Sequence, residues 1–320
     1  MRRLVIGSKN VAITRAQFLK AAAATGAFAL IGGRAAPGAT TQMRTRSIPK
    51  TGEALPVVGL GTSRVFDVGA DPAVRAARRS VLAVLFDAGG SVIDSSPMYG
   101  RAEGVVGDEL AALGKRGSAF LATKVWTSGR RQGIAQMEDS MRLLGTQRID
   151  LMQVHNLVDL ETQLATLREW KAAGRIRYLG VTHWTQGSLD DLAAIVAREK
   201  LDFVQFAYSI AVRDAERRLL PLCVEHGVAT LINRPYINGA LFRRARGHAV
   251  PPWATAELGC ASWGQFFLKF ILGHPQVTCV IPGTSKPKHA RDNVGAGMGA
   301  LPSMTQRQRM LTDWRRIAAA

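Results

Sequence analysis

Eight short apolar runs recur along the chain, and a longer amphipathic stretch follows each of them. No other feature of the sequence limits the fold so much. The runs are Val57 to Leu60, Ser91 to Asp94, Phe120 to Lys124, Asp150 to Val154, Arg177 to Val181, Asp202 to Phe206, Val228 to Ile232 and Val277 to Ile281. Each has the length of a buried strand and is bounded by turn formers. Helical stretches occupy Pro72 to Asp87, Glu103 to Leu113, Gly133 to Leu144, Leu160 to Ala173, Ser188 to Glu199, Ala215 to His226, Ala254 to Leu272 and Lys288 to Ala296. Several run into a glycine (Gly89, Gly114, Gly145, Gly174, Gly227, Gly273), the residue that takes the left-handed helix cap without strain. Such alternation gives parallel strands joined by right-handed crossovers, and eight units close into a ring. The expected fold class is α/β, a (β/α)8 TIM barrel. An N-terminal β-hairpin precedes it, since Met43 to Ile48 and Leu55 to Leu60 flank the turn Pro49-Lys-Thr-Gly52. An open doubly wound sheet fits less well. Gly59-Leu-Gly-Thr-Ser-Arg supplies two glycines of a Gly-x-Gly-x-x-Gly phosphate turn but not the third, and no helix pattern begins there.

In a parallel barrel the active site gathers at the C-terminal strand ends. Asp94 ends the second run, Tyr99 follows five residues later in a turn-rich loop, and Lys124 and His155 close the third and fourth runs. A free phenol titrates near pH 10, and a neighbouring ammonium favours its ionised form. Lys124 can supply that cation to Tyr99, with Asp94 paired to it. His155 can hydrogen-bond a carbonyl oxygen or share the proton relay. Taken singly each has a plainer reading: a loop aromatic, a salt-bridged lysine, a satisfied core histidine. Four complementary groups at one end of one barrel favour a catalytic set instead.

The motifs around these residues are Gly59-Leu-Gly-Thr, Ile93-Asp-Ser-Ser-Pro-Met-Tyr-Gly, Ala122-Thr-Lys-Val-Trp, Gln153-Val-His-Asn, Gly180-Val-Thr-His and Ile281-Pro-Gly-Thr-Ser with Asn293. In kind and order they resemble those of the aldo/keto reductase family, over roughly residues 44 to 310. The resemblance implies an NAD(P)H-dependent oxidoreductase that moves a hydride from NADPH, with NADH possible, to an aldehyde or ketone. Asp94, Tyr99, Lys124 and His155 match its catalytic tetrad, Tyr99 being the general acid. It also implies cofactor contacts from Thr182, His183 and Gln205 at the nicotinamide carboxamide. Arg234, Gly283, Thr284, Ser285, Lys286, His289, Asp292 and Asn293 complete that set, and Lys286 suits a 2′-phosphate. Three positions depart from the family pattern. His183 replaces an asparagine, His289 replaces an arginine, and Asn233 stands where a tyrosine often stacks on the nicotinamide, a role that Tyr236 or Tyr208 could take. Met98, Trp126 and Trp184 suggest apolar walls for the substrate. The alternative within the same fold is a cofactor-binding sensor or regulatory subunit with little turnover, like the potassium-channel β subunits. A metal-assisted hydrolase is disfavoured, because only His155 and His183 lie near the mouth.

The formal net charge of +18 could mark a nucleic-acid or membrane partner. Residues 1–52, however, hold nine Lys/Arg and no acid, so half of the excess is N-terminal. The remaining arginines are scattered over helices, and the clusters Arg243-Arg-Ala-Arg246 and Arg315-Arg316 lack the interleaved aromatics that stack on bases. A small-molecule partner is expected, and no nucleic acid. The three separated cysteines, Cys223, Cys260 and Cys279, form neither a disulfide framework nor a zinc pattern, and Cys279 reads as inert core. Residues 1–40 read as an export signal: basic residues precede Ala21 to Gly33, an apolar stretch too short to span a bilayer. Thr14-Arg-Ala-Gln-Phe-Leu-Lys resembles a twin-arginine signal in which Ala16 replaces the second arginine. The expectation is periplasmic delivery of a barrel spanning residues 41–320, with a cytoplasmic location as the alternative.

Overall fold

The computed structural model describes residues 42–319, so the expected export signal lies outside the described residues. The hairpin comes first, as β1 (Thr45–Ser47) and β2 (Ala54–Pro56) paired antiparallel. Gly52, at φ +73°, completes its turn, and the Ile48 N–H donates to the Glu53 carbonyl at 2.8 Å. Eight parallel strands follow in sequential order: β3 (Leu60–Gly61), β4 (Val92–Asp94), β5 (Phe120–Val125), β6 (Ile149–His155), β7 (Ile176–Thr182), β8 (Phe203–Ala207), β9 (Ala229–Asn233) and β10 (Cys279–Val280). Val58 bridges Val280 to complete the ring, with Gly59 N to Val280 O and Val280 N to Val57 O both at 2.9 Å. The first and last strands are shorter than the apolar runs that encode them. Pro282, with no N–H, cannot continue the ladder past Ile281. The barrel is thus the (β/α)8 fold that the alternation predicts.

The helices follow the amphipathic stretches, with two revisions. Helix Pro72–Asp87 starts where Asp71 Oδ1 accepts the N–H groups of Ala73 and Val74 at 2.8 and 3.1 Å. The single stretch Ala254 to Leu272 is instead two helices, Pro252–Leu258 and Trp263–Leu272. Gly259, at φ +66°, ends the first, and the Ser262 hydroxyl caps the second by accepting from Gln265 N at 3.0 Å. Ala215 to His226 opens as a tight turn, Asp214–Glu216, so that only Leu219–Glu225 is α-helical. Gly114 and Gly145 cap helices in the left-handed conformation as expected, whereas Gly273, at φ −67°, does not. A helix over Met304–Ala319 closes the described chain. Among the described residues no helix is long and apolar enough to cross a membrane.

The strands have two faces, and the period of two separates them. Outward residues such as Ile93, Leu121, Val154, Val181, Val204 and Ile232 pack under the helices. Inward residues Val92, Phe120, Leu151, Tyr178, Phe203, Leu231 and Cys279 fill the barrel, and Ile48 and Leu55 of the hairpin plug its N-terminal end. Cys279 is inert as expected, its thiol pushed up by burial.

Candidate active site

Two residues further along each strand, the inward layer turns polar. Val92 gives way to Asp94, Ala122 to Lys124, Leu151 to Gln153 and His155, and Phe203 to Gln205. Lys124 has no exposed surface, and its Nζ donates to Asp94 Oδ2 at 2.8 Å and to the Ser95 carbonyl at 2.5 Å. Asp94 Oδ1 accepts from Gln205 Nε2 at 2.8 Å and from Gln153 Nε2 at 3.3 Å. Gln205 Oε1 accepts in turn from Thr182 Oγ1 at 3.1 Å and Asn233 Nδ2 at 3.2 Å. A buried ion pair is tolerable only when hydrogen bonds take up most of its remaining capacity; here Asp94 has three donors and Lys124 two acceptors, while Asn233 Oδ1 at the edge of the network has no partner among the described residues. Burial works against the charge on Lys124, but Asp94, Tyr99 and Glu103 hold its pKa above the ordinary value.

Tyr99 and His155 stand over that pair. The Tyr99 N–H closes a turn onto the Ser96 carbonyl at 3.0 Å, and its ring centroid lies 5.1 Å from Lys124 Nζ and 6.0 Å, edge-on, from the His155 ring. Lys124 was expected to lower the Tyr99 pKa. Instead burial wins and raises it, with Lys124 pulling the other way. The phenol is therefore protonated at neutral pH and equipped to donate. Burial depresses His155 to about 3, helped by the charges of Lys124 and His183, so its imidazole is neutral. Its Nδ1 lies 3.1 Å from Ser96 Oγ.

A cavity of about 800 Å³ opens over these groups at the C-terminal mouth. Of the predicted residues, Asp94, Met98, Tyr99, His155, Thr182, Trp184, Gln205, Arg234 and Gly283 line it. Lys124 lies behind Asp94, and Trp126 stands exposed with its ring 6.5 Å from that of His155. His183 is not brought in: its Nδ1 accepts from the Thr185 N–H at 3.2 Å, and the ring does not line the cavity. Tyr208 is fully buried against Arg307 and Glu216, so only Tyr236, 4.7 Å from Phe242, reaches the cavity wall. Sequence reasoning missed Ser96 and Gln153, which bond His155 and Asp94. Gln153 was findable, since two residues before His155 on one strand means the same face. Ser96 sits in a loop, where no periodicity applies.

The remaining predicted residues lie along the turn after β10. A Cβ on Gly61 would come 2.8 Å from the Ile281 carbonyl, and one on Gly283 would come 3.0 Å from the Gly61 carbonyl, so this edge of the cavity needs glycine. Thr284 Oγ1 accepts the Lys286 N–H at 3.1 Å, and the Ser285 carbonyl accepts from Arg78 at 3.2 Å. Helix Pro287–Gly295 starts there with Lys286 and His289 exposed. Asp292 takes the Ser262 hydroxyl, and Asn293 Oδ1 accepts from the Tyr236 hydroxyl at 2.7 Å.

The model of the aldo/keto reductase family matches residues 57–307. The chain belongs to the aldo/keto reductase family. Methylglyoxal reductase YeaE of Escherichia coli is 28% identical over 258 residues, which cover 78% of this chain and 89% of that protein. Aldo-keto reductase YhdN of Bacillus subtilis is 30% identical over 217 residues, 62% of this chain and 64% of that one. The crystal structure of an aldo-keto reductase from Klebsiella pneumoniae in complex with NADPH matches with a TM-score of 0.71 at 25% identity, over 85% of this chain and 95% of that one. As an aldo/keto reductase the chain is an oxidoreductase. Its departures from the family pattern now have a setting: His183 turns to Thr185, while Asn233 joins the Gln205 network.

Proposed function

We propose that the chain reduces aldehydes or ketones with NADPH, Tyr99 serving as general acid. The observation that carries this reading is the fully buried Lys124–Asp94 pair placed under the Tyr99 ring at the floor of an open cavity. A merely structural ion pair has no need of a phenol and a cavity above it. Thr182 and Gln205 would hold the nicotinamide carboxamide, and Arg234, Gly283, Lys286 and the N-terminal turn of helix Pro287–Gly295 would hold the phosphates. The glycine-lined edge and the exposed lysine fit such a ligand. The dinucleotide supplies the hydride.

The chain's own residues handle the oxygen. Tyr99 passes its phenolic proton to the carbonyl oxygen, and Lys124 stabilises the phenolate left behind. Asp94 keeps that ammonium charged and aimed. His155, neutral, steadies the same oxygen by a hydrogen bond and holds no second proton for a relay. Met98 and Trp184 give the carbonyl's substituent an apolar wall. The test is the oxidation of NADPH and NADH against aldehydes, ketones and quinones, with methylglyoxal among them because one relative reduces it. A protein that binds the dinucleotide tightly and oxidises it with none of them would be a sensor or regulatory subunit instead.

A further inference from the structure

Ser96 makes no contact with the cavity, yet its hydroxyl bears on what the cavity offers. It is fully buried in the loop after β4, with Oγ 3.1 Å from His155 Nδ1. A neutral imidazole carries its proton on one nitrogen and a lone pair on the other, so the two nitrogens have opposite roles. Oγ also accepts the Met98 N–H at 3.4 Å, and a hydroxyl has one proton to give. If Nδ1 were the protonated nitrogen, the Ser96 proton would be buried with no other acceptor among the described residues, which is costly. Both groups are satisfied only when Ser96 donates to Nδ1. The ring proton is then on Nε2, the nitrogen with no hydrogen bond to any described residue, on a ring that lines the cavity.

We propose that Ser96 is a positioning residue that fixes His155 in the tautomer protonated on Nε2, so that the cavity is offered a donor and not a lone pair. Two donors, the Tyr99 hydroxyl and His155 Nε2–H, then border the same cavity, which favours an oxygen acceptor such as a carbonyl. Ser96 ties the two together, because its carbonyl also accepts the Tyr99 N–H that closes the turn. The catalytic consequence rests on the carbonyl-reductase reading above, whereas the tautomer itself does not.

The experiment is a long-range ¹⁵N–¹H spectrum of histidine-labelled protein, which reads the tautomer of each ring without turnover. The His155 signals are assigned by their loss in His155→Gln. The unaltered protein should show Nε2–H at His155, and Ser96→Ala should give a mixture of tautomers. In that variant kcat for carbonyl reduction should fall roughly two- to tenfold, the worth of one neutral hydrogen bond, with the NADPH dissociation constant unchanged. Ser96→Thr, which keeps the hydroxyl, should restore the tautomer and the rate. Nδ1–H in the unaltered protein, or an unchanged tautomer in Ser96→Ala, overturns the proposal. Should Ser96→Ala fail to fold, the spectrum of the unaltered protein still decides. Should no carbonyl be reduced while the tautomer follows Ser96, the functional reading fails and the assignment of Ser96 stands.

Discussion

Lys124→Met keeps the length of the side chain and removes its charge, which isolates what the buried pair contributes. Lys124 is wholly buried and Asp94 is 2% exposed, with 2.8 Å between nitrogen and oxygen. Without the ammonium, the Asp94 carboxylate retains the Gln205 and Gln153 amides but loses its countercharge. Removing one partner of a buried pair costs about 3–5 kcal/mol. The two amides that remain place this variant near the lower end, about 3 kcal/mol, which a barrel of ordinary stability survives. Adding Asp94→Asn removes the stranded charge, and the double variant should regain about 2 kcal/mol of the loss. Carbonyl reduction should stay crippled in both, because the phenolate of Tyr99 has lost its cation. Urea unfolding at fixed pH and salt gives the stabilities, and NADPH oxidation gives the activity. A Lys124→Met protein within about 1 kcal/mol of the parent, or a double variant no more stable than the single, would refute the reasoning.

Tyr99→Phe should leave folding and dinucleotide binding intact while lowering reduction by about 10²- to 10⁴-fold, and retention of half the rate would show that Tyr99 is not the acid. Lys286→Ala should raise the KM for NADPH on the order of ten- to a hundredfold with little change for NADH; equal effects on both would remove Lys286 from the 2′-phosphate. His155 and His274 are held down by burial to about 3 and about 4 from 6.5, so between those values the unfolded chain binds more protons than the native one. Stability should therefore fall as pH drops from 6.5 towards 3, and His155→Gln should remove part of that slope in acid titrations followed by circular dichroism. Ala16→Arg, in the segment outside the described residues, should increase the periplasmic fraction measured by cell fractionation if the segment is a twin-arginine signal; no export with arginine there would rule that out.

The barrel was legible because its signal is periodic and repeated. Inward and outward residues alternate from Phe120 to Lys124 as they do from Leu151 to His155, and the ends of β4, β5, β6 and β8 deliver polar groups to the same face. The placement of Asp94, Lys124 and His155 at that mouth was legible for the same reason. Loops and balances were not. The break at Gly259 was readable in principle, since Gly259 and Ser262 are a helix stop and start three residues apart, but the apolar residues on either side of them hide it. The direction of the Tyr99 shift depends on burial against one ammonium at a set distance, a contest between two magnitudes that spacing cannot decide. His183 occupies a position at which the family contacts the carboxamide, yet its ring is turned away by Thr185, two residues later.

The plug formed by Ile48 and Leu55 joins the start of the barrel to its end. The Arg46 guanidinium reaches the carbonyls of His274 at 2.8 Å and Leu272 at 2.5 Å, and Val277 as well, while the Arg44 N–H meets the Gly297 carbonyl at 2.9 Å. During synthesis the hairpin emerges before the strands it plugs, and its partners Leu272 to Gly297 emerge after β9. Until residues near 280 emerge, Ile48 and Leu55 have an unfinished core to cover, and β3 and β9 are open edges able to pair with other chains. Closure of this ring therefore waits for residues near 280, and until then the growing chain carries two unpaired strand edges.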